Sequence, residues 1–143
     1  GGRVYISAAE AAKAANGKMI GVDVDQSASI DADYGDGMTV TSAMKGLAVT
    51  VENALEEIKD GNWDKLAGKI DTLGLVSGDD PTANYVQIPE ETTQFEDGKF
   101  TVEDYKALVK DMFDGKIKVS NDTSAPEPTA ENVKIDFQGT ILA

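Results

Sequence analysis

Two stretches decide how this chain reads: KMIGVDVDQS (residues 18–27) and, beyond an acidic loop, TVTSAMKGLAVTVENALEEI (residues 39–58). The first is short and β-branched at Ile20, Val22 and Val24, and is bounded by Gly17 and the polar Gln26-Ser27. A short apolar run between turn residues is the pattern of a buried strand. Asp23 and Asp25 stand at its downstream end, where open α/β sheets bind their ligands. The second stretch reads as a short strand, Met38 to Thr41, feeding a helix that starts near Ser42. Met44, Leu47, Ala48, Val51, Leu55 and Ile58 follow the 3.6-residue period and form its apolar stripe. On this reading Lys45 lies one turn into the helix, so one loop joins an anionic strand end to a cationic helix start.

Working outward, SAAEAAKAAN (residues 7–16) is Ala-rich and helix-forming, and Gly17 is placed to end it. Gly1-Gly2 either frays or forms a turn whose N–H groups can approach a ligand. The alternation of helix, turn and buried strand indicates a largely parallel sheet. Asp31, Asp33 and Asp36 invite a calcium reading, but Asp36 and Ser42 occupy the positions where an EF-hand needs Gly and Glu. A solvated acidic loop is expected instead, with no metal. Asp60-Gly61 stops the second helix, and Trp63 is expected as a lid on its end. Strands are expected at Lys69–Val76, Asn84–Ile88 and Lys116–Val119. The clearest helix begins at Thr101, which forms a capping box with Asp104. Its stripe is Tyr105, Leu108, Val109, Met112 and Phe113, and Gly115 stops it. Residues 120–131 (SNDTSAPEPTAE) read as a linker or tail, and Val133 to Phe137 as a last strand.

Composition removes several function classes. A chain of 143 residues with 41% hydrophobic residues can bury one ordinary core. A net charge of −13 repels nucleic acid and anionic lipid alike. No apolar run approaches the ~20 residues of a membrane span, and no charged-then-apolar leader opens the chain. It begins without Met, as a processed chain or a piece of a longer one does. Without Cys or His, disulfides, Cys/His zinc sites and Ser–His–Asp nucleophile systems are excluded.

Two chemical readings meet at residues 41–45. Ser42-Ala-Met-Lys45 matches S-x-x-K, in which a Ser at a helix start is activated by a Lys one turn on. Its companion motifs S-D-N and K-T-G are missing, and a plain N-cap explains Ser42 equally well. The second reading is a resemblance. GVDVDQS with TVTSAMK, an amphipathic helix ending in a DG turn, and the late DGKIKV run resemble the basic-membrane-protein family. These are purine-nucleoside-receptor-like substrate-binding lipoproteins of bacterial ABC importers, and the likeness covers about the second half of such a protein.

The resemblance implies an α/β chain that is part of a type I periplasmic-binding-protein-like, two-lobed fold with largely parallel sheets. Residues 1–28 and 64–143 would belong to the C-terminal lobe, and 29–63 would cross into the other. It implies that Asp23 hydrogen-bonds ribose hydroxyls and that Lys45 also contacts the nucleoside. The family's glycine-rich segment is reduced here to Gly1-Gly2, which leaves Gly2 as a candidate backbone contact. The implied protein is extracytoplasmic and partnered by an ABC permease. It touches the membrane only through a lipid anchor outside this chain, performs no chemistry and needs no cofactor. Alternatives are the same fold holding a flavin or a sugar, and an acyl-transferring enzyme on Ser42 and Lys45. A piece of a two-lobed protein exposes lobe-interface surface, so self-association or a companion chain is expected.

Overall fold

The computed structural model describes residues 4–120. Gly2, the 120–131 linker beyond Ser120 and the expected strand at Val133–Phe137 lie outside them. The described residues form α1 (Tyr5–Ala14), β1 (Met19–Asp23), α2 (Ser27–Tyr34), β2 (Thr39–Lys45), α3 (Leu47–Lys59), α4 (Trp63–Leu66), β3 (Val86–Gln87) and α5 (Val102–Phe113). This is a mixed α/β arrangement around a small three-stranded sheet in the order β1-β2-β3. β1 and β2 are parallel, whereas β3 runs antiparallel to β2. The expectation of a largely parallel sheet therefore holds for one of the two strand pairings.

α1 ends as its sequence suggests, but one residue earlier. Asn16, at φ 52°, takes the left-handed position expected of Gly17. Asn16 N–H then donates to Lys13 O at 3.2 Å and Gly17 N–H to Ala12 O at 2.7 Å, the double bond of a Schellman motif. β1 forms where expected, yet it is not buried on both faces: Gly21 is buried, while Ile20 is 64% and Val22 44% exposed.

The acidic loop is in part a helix, α2. Ile30 is its fully buried anchor, and a single anchor leaves no stripe to read in the sequence. Asp31 closes the following turn, accepting from Gly37 N–H at 3.0 Å and Thr39 N–H at 2.8 Å. Burial pushes this carboxyl up, but the Thr39 and Gly37 donors outweigh it and hold it below the ordinary carboxylate value.

The largest correction falls on residues 42–45. They are not the start of a helix: β2 runs on to Lys45, and α3 begins only at Leu47. Backbone pairing decides this. Ser42, Ala43 and Met44 lie opposite Gly21, Val22 and Asp23 of β1, and Met44 and Lys45 opposite Gln87 and Val86 of β3. Flanked on both sides, the segment meets its hydrogen bonds in the sheet, and Gly46 makes the break before α3. Met44 thus leaves the stripe, and what remains of it faces outward. Val51 and Leu55 are 58% and 59% exposed, and no residue of α3 is buried. Trp63, expected as a packed lid, is 57% exposed.

Residues 69–76 do not form a strand. Their end is knitted instead by the buried Asn84, whose Oδ1 accepts from Val76 N–H (2.6 Å) and Ser77 N–H (2.8 Å) while Nδ2 donates to Ser77 O (3.0 Å). Residues 116–119 likewise form no strand. α5 matches its expectation: Thr101 Oγ1 accepts from Asp104 N–H, and Asp104 accepts from Thr101 N–H at 2.9 Å. Tyr105 and Val109 are buried on its inner side, and Tyr105 Oη accepts from Ile88 N–H at 3.2 Å, tying α5 to the end of β3. Gly115, at φ 73°, lets the chain turn away.

Candidate functional site

Parallel pairing brings the carboxyl ends of β1 and β2 side by side, and the two charged candidates meet there. Lys45 Nζ lies 2.7 Å from Asp23 Oδ1, with the lysine side chain 59% and the aspartate 30% exposed. The register alone would set Asp23 opposite Met44. Asp23, however, has φ 72° and sits at the centre of a tight three-residue turn closed by Val24 N–H donating to Val22 O at 2.9 Å, a strained geometry for a non-glycine residue. The turn falls at the strand's last residue, where the carboxylate pairs with Lys45. The ammonium in turn holds the Asp23 carboxyl below the ordinary carboxylate range.

The neighbouring polar residues serve the frame. Asp25 Oδ1 accepts from Ser27 N–H at 3.0 Å and Oδ2 from the Thr92 hydroxyl at 2.8 Å. Burial raises the Asp25 carboxyl, the Ser27 and Thr92 donors lower it, and the donors prevail. Gln26 Oε1 accepts from Val22 N–H at 2.9 Å, and Gln26 N–H donates to Ser42 Oγ at 3.1 Å. The two carboxylates that look alike in the sequence are thereby sorted: Asp25 is tied into the loop, and Asp23 is presented with Lys45.

Ser42 is fully buried at the centre of β2. Positions three apart in a strand point to opposite faces, so Lys45 is turned away from the Ser42 hydroxyl. That hydroxyl already accepts from Gln26 N–H. The helical geometry on which an S-x-x-K nucleophile depends is not formed here. Among the described residues no cluster of three or more metal-ligating side chains occurs, and the Asp31 carboxylate is engaged with backbone N–H groups.

Lys45 also borders an apolar hollow of about 330 Å³ between the sheet and α5, whose walls include Val22, Met44, Leu108 and Met112. The ion pair and the hollow together offer charge-assisted hydrogen bonding beside a surface that accepts a flat apolar group. Sequence reasoning finds both charged residues, and the structure stands them on adjacent strands of one sheet. That reasoning misses Gln26 and Asn84, whose side chains serve backbone groups distant in sequence and carry no local signal.

No protein-family model matches the chain, and no curated protein or solved structure matches it either.

Proposed function

We propose that this chain is the ligand-holding part of an extracytoplasmic solute-binding protein that delivers a purine nucleoside to an ABC importer. In this reading it belongs to a two-lobed, type I periplasmic-binding-protein-like fold, is lipid-anchored through a segment outside this chain, and performs no chemistry. The observation that carries the reading is the pairing of Asp23 with Lys45 at the carboxyl ends of parallel strands, with Asp23 at the centre of a strained three-residue turn. Strain of this kind gathers at sites that need a group aimed. The resemblance of GVDVDQS and TSAMK to the nucleoside-receptor family supports it. So do the apolar surfaces of β1 and α3, which a second lobe or companion chain would cover.

The division of labour follows from donor and acceptor types. Asp23 accepts from the hydroxyls of a cis-diol, and Lys45, which has donors only, serves hydroxyl, carbonyl or ring-nitrogen acceptors. The pair is poised for this because each charge already neutralises the other, so neither needs stripping of a full hydration shell. Closure of a second lobe over the edge excludes water and strengthens both bonds. The apolar hollow beside Lys45 favours one second reading, a larger planar ligand such as a flavin in the same place.

The test is calorimetry with guanosine, inosine and adenosine against the chain and its Asp23→Ala variant. Loss of charge-assisted bonds predicts affinity reduced about tenfold or more. Unchanged affinity in the variant contradicts the assignment. A thermal-shift panel with riboflavin and ribose separates the second reading from the first.

A further inference from the structure

α3, α4 and the segment after them surround another hollow of about 330 Å³, which shares no lining residue with the one beside Lys45. This is within the range of small-molecule sites, roughly 300–1,000 Å³. Ala54, Leu66 and the partly exposed Leu73 give it apolar lining, and Tyr85 gives it an aromatic wall. That wall is fixed in place. Tyr85 N–H donates to Gly74 O at 3.1 Å, Tyr85 O accepts from Gly46 N–H at 2.8 Å, and the phenol oxygen accepts from Asn53 Nδ2.

The charges in the hollow do not balance. Lys65 Nζ lies 3.2 Å from Glu57 Oε2, so these two neutralise each other. Asp71 also lines the hollow, and among the described residues its carboxylate has neither hydrogen bond nor ion pair. A lone carboxylate, a rigid aromatic face and an apolar lining are the complement of an ammonium group on a short apolar stem. The net charge of −13 concentrates such cations near the surface.

We propose that the hollow between α3, α4 and Tyr85 binds a small primary amine bearing an apolar or aromatic group, with Asp71 as its counter-ion. The site is separate from the one at Asp23 and Lys45 and stands or falls on its own. The ammonium donates to Asp71, and the stem lies on Leu73 and Ala54 against the Tyr85 ring. Lys65 keeps Glu57 occupied, which leaves one binding carboxylate and favours monoamines.

The experiment is an amide-detected NMR titration of the full chain with 2-phenylethylammonium, run beside the neutral 2-phenylethanol and the anionic 3-phenylpropionate. The expected result is saturable shifts at Asn53, Ala54, Leu73 and Tyr85 for the amine, binding about tenfold weaker for the alcohol, and none for the carboxylate. Asp71→Asn removes that tenfold preference and Asp71→Glu keeps it, whereas Asp64→Asn, outside the hollow, changes nothing. Asp71 holds no partner in the fold, so its variants should give spectra that otherwise superimpose. Equal binding of amine and alcohol, indifference to Asp71→Asn, absence of saturation, or shifts scattered over the acidic surface would each overturn the proposal.

Discussion

Gly21→Ala is the substitution that most sharply tests how β1 and β2 are paired. Gly21 is buried and faces Ser42 across the parallel pair. A Cβ added there would lie 2.4 Å from Ser42 Oγ, 3.0 Å from Gln26 Cβ and 3.2 Å from Ser42 Cβ. The nearest atom belongs to a short side chain whose oxygen is held by Gln26 N–H, so it has little room to yield. Overpacking of this kind costs about 1–3 kcal/mol. For a chain of this size that lowers the thermal midpoint by roughly 3 °C per kcal/mol. Ser42→Ala alone gives up one hydrogen bond and costs about 1 kcal/mol. In the double variant the closest clash is gone, so its cost should fall short of the sum of the singles by about 1 kcal/mol. Urea denaturation of the four proteins gives the cycle. A Gly21→Ala variant within about 0.5 kcal/mol of the parent, the usual range for changes outside packed sites, would refute the register. Strict additivity would refute the direct contact.

Three further outcomes follow from the same geometry. Thr101→Ala removes the α5 cap and should cost about 1 kcal/mol in the same assay, while Thr101→Ser should be nearly neutral. Asp31→Ala leaves Gly37 and Thr39 N–H groups without their acceptor and should cost about 1–2 kcal/mol at neutral pH. The folded-state value of Asp31 is depressed, so its contribution is complete above the ordinary value near 3.8 and is lost as pH falls through the lowered one. Stability measured from pH 6 down to 2 should therefore decline less steeply in the variant than in the parent; parallel curves contradict this. Asp23→Asn, at an exposed ion pair, should leave the thermal midpoint almost unchanged while weakening nucleoside binding, and a large drop in midpoint would mark the pair as structural.

What the sequence makes legible depends on whether the deciding interactions are local. α5 is readable because its cap, its stripe and its stop all lie within residues 101–115. β1 is readable from the β-branched alternation of residues 20–24. α2 is not, since it rests on the single buried Ile30 and on Asp31 folding back to Thr39. Residues 42–45 carry apolar spacing that suits a helix as well as a strand, and only pairing with both β1 and β3 settles the matter. Gly46 is the local signal of the boundary, because a glycine between TSAMK and LAVTVENALEEI marks a break. Ile70, Leu73 and Leu75 imitate a strand, but with no partner ladder the segment stays irregular and Ile70 is 99% exposed. The resemblance points to Asp23 and Lys45 as contacts to one ligand, not as partners of each other; their direct pairing at 2.7 Å carries no local signal. The cause of that pairing, two adjacent strand ends and a tight turn at Asp23, belongs to tertiary structure.

The most direct measurement is an amide-detected NMR titration of this chain with guanosine, which registers even weak binding. If Asp23 and Lys45 hold the solute, shifts will concentrate at residues 22–26 and 43–46 and vanish in Asp23→Ala. Guanosine that leaves those residues unmoved, or moves them equally in the variant, contradicts the account.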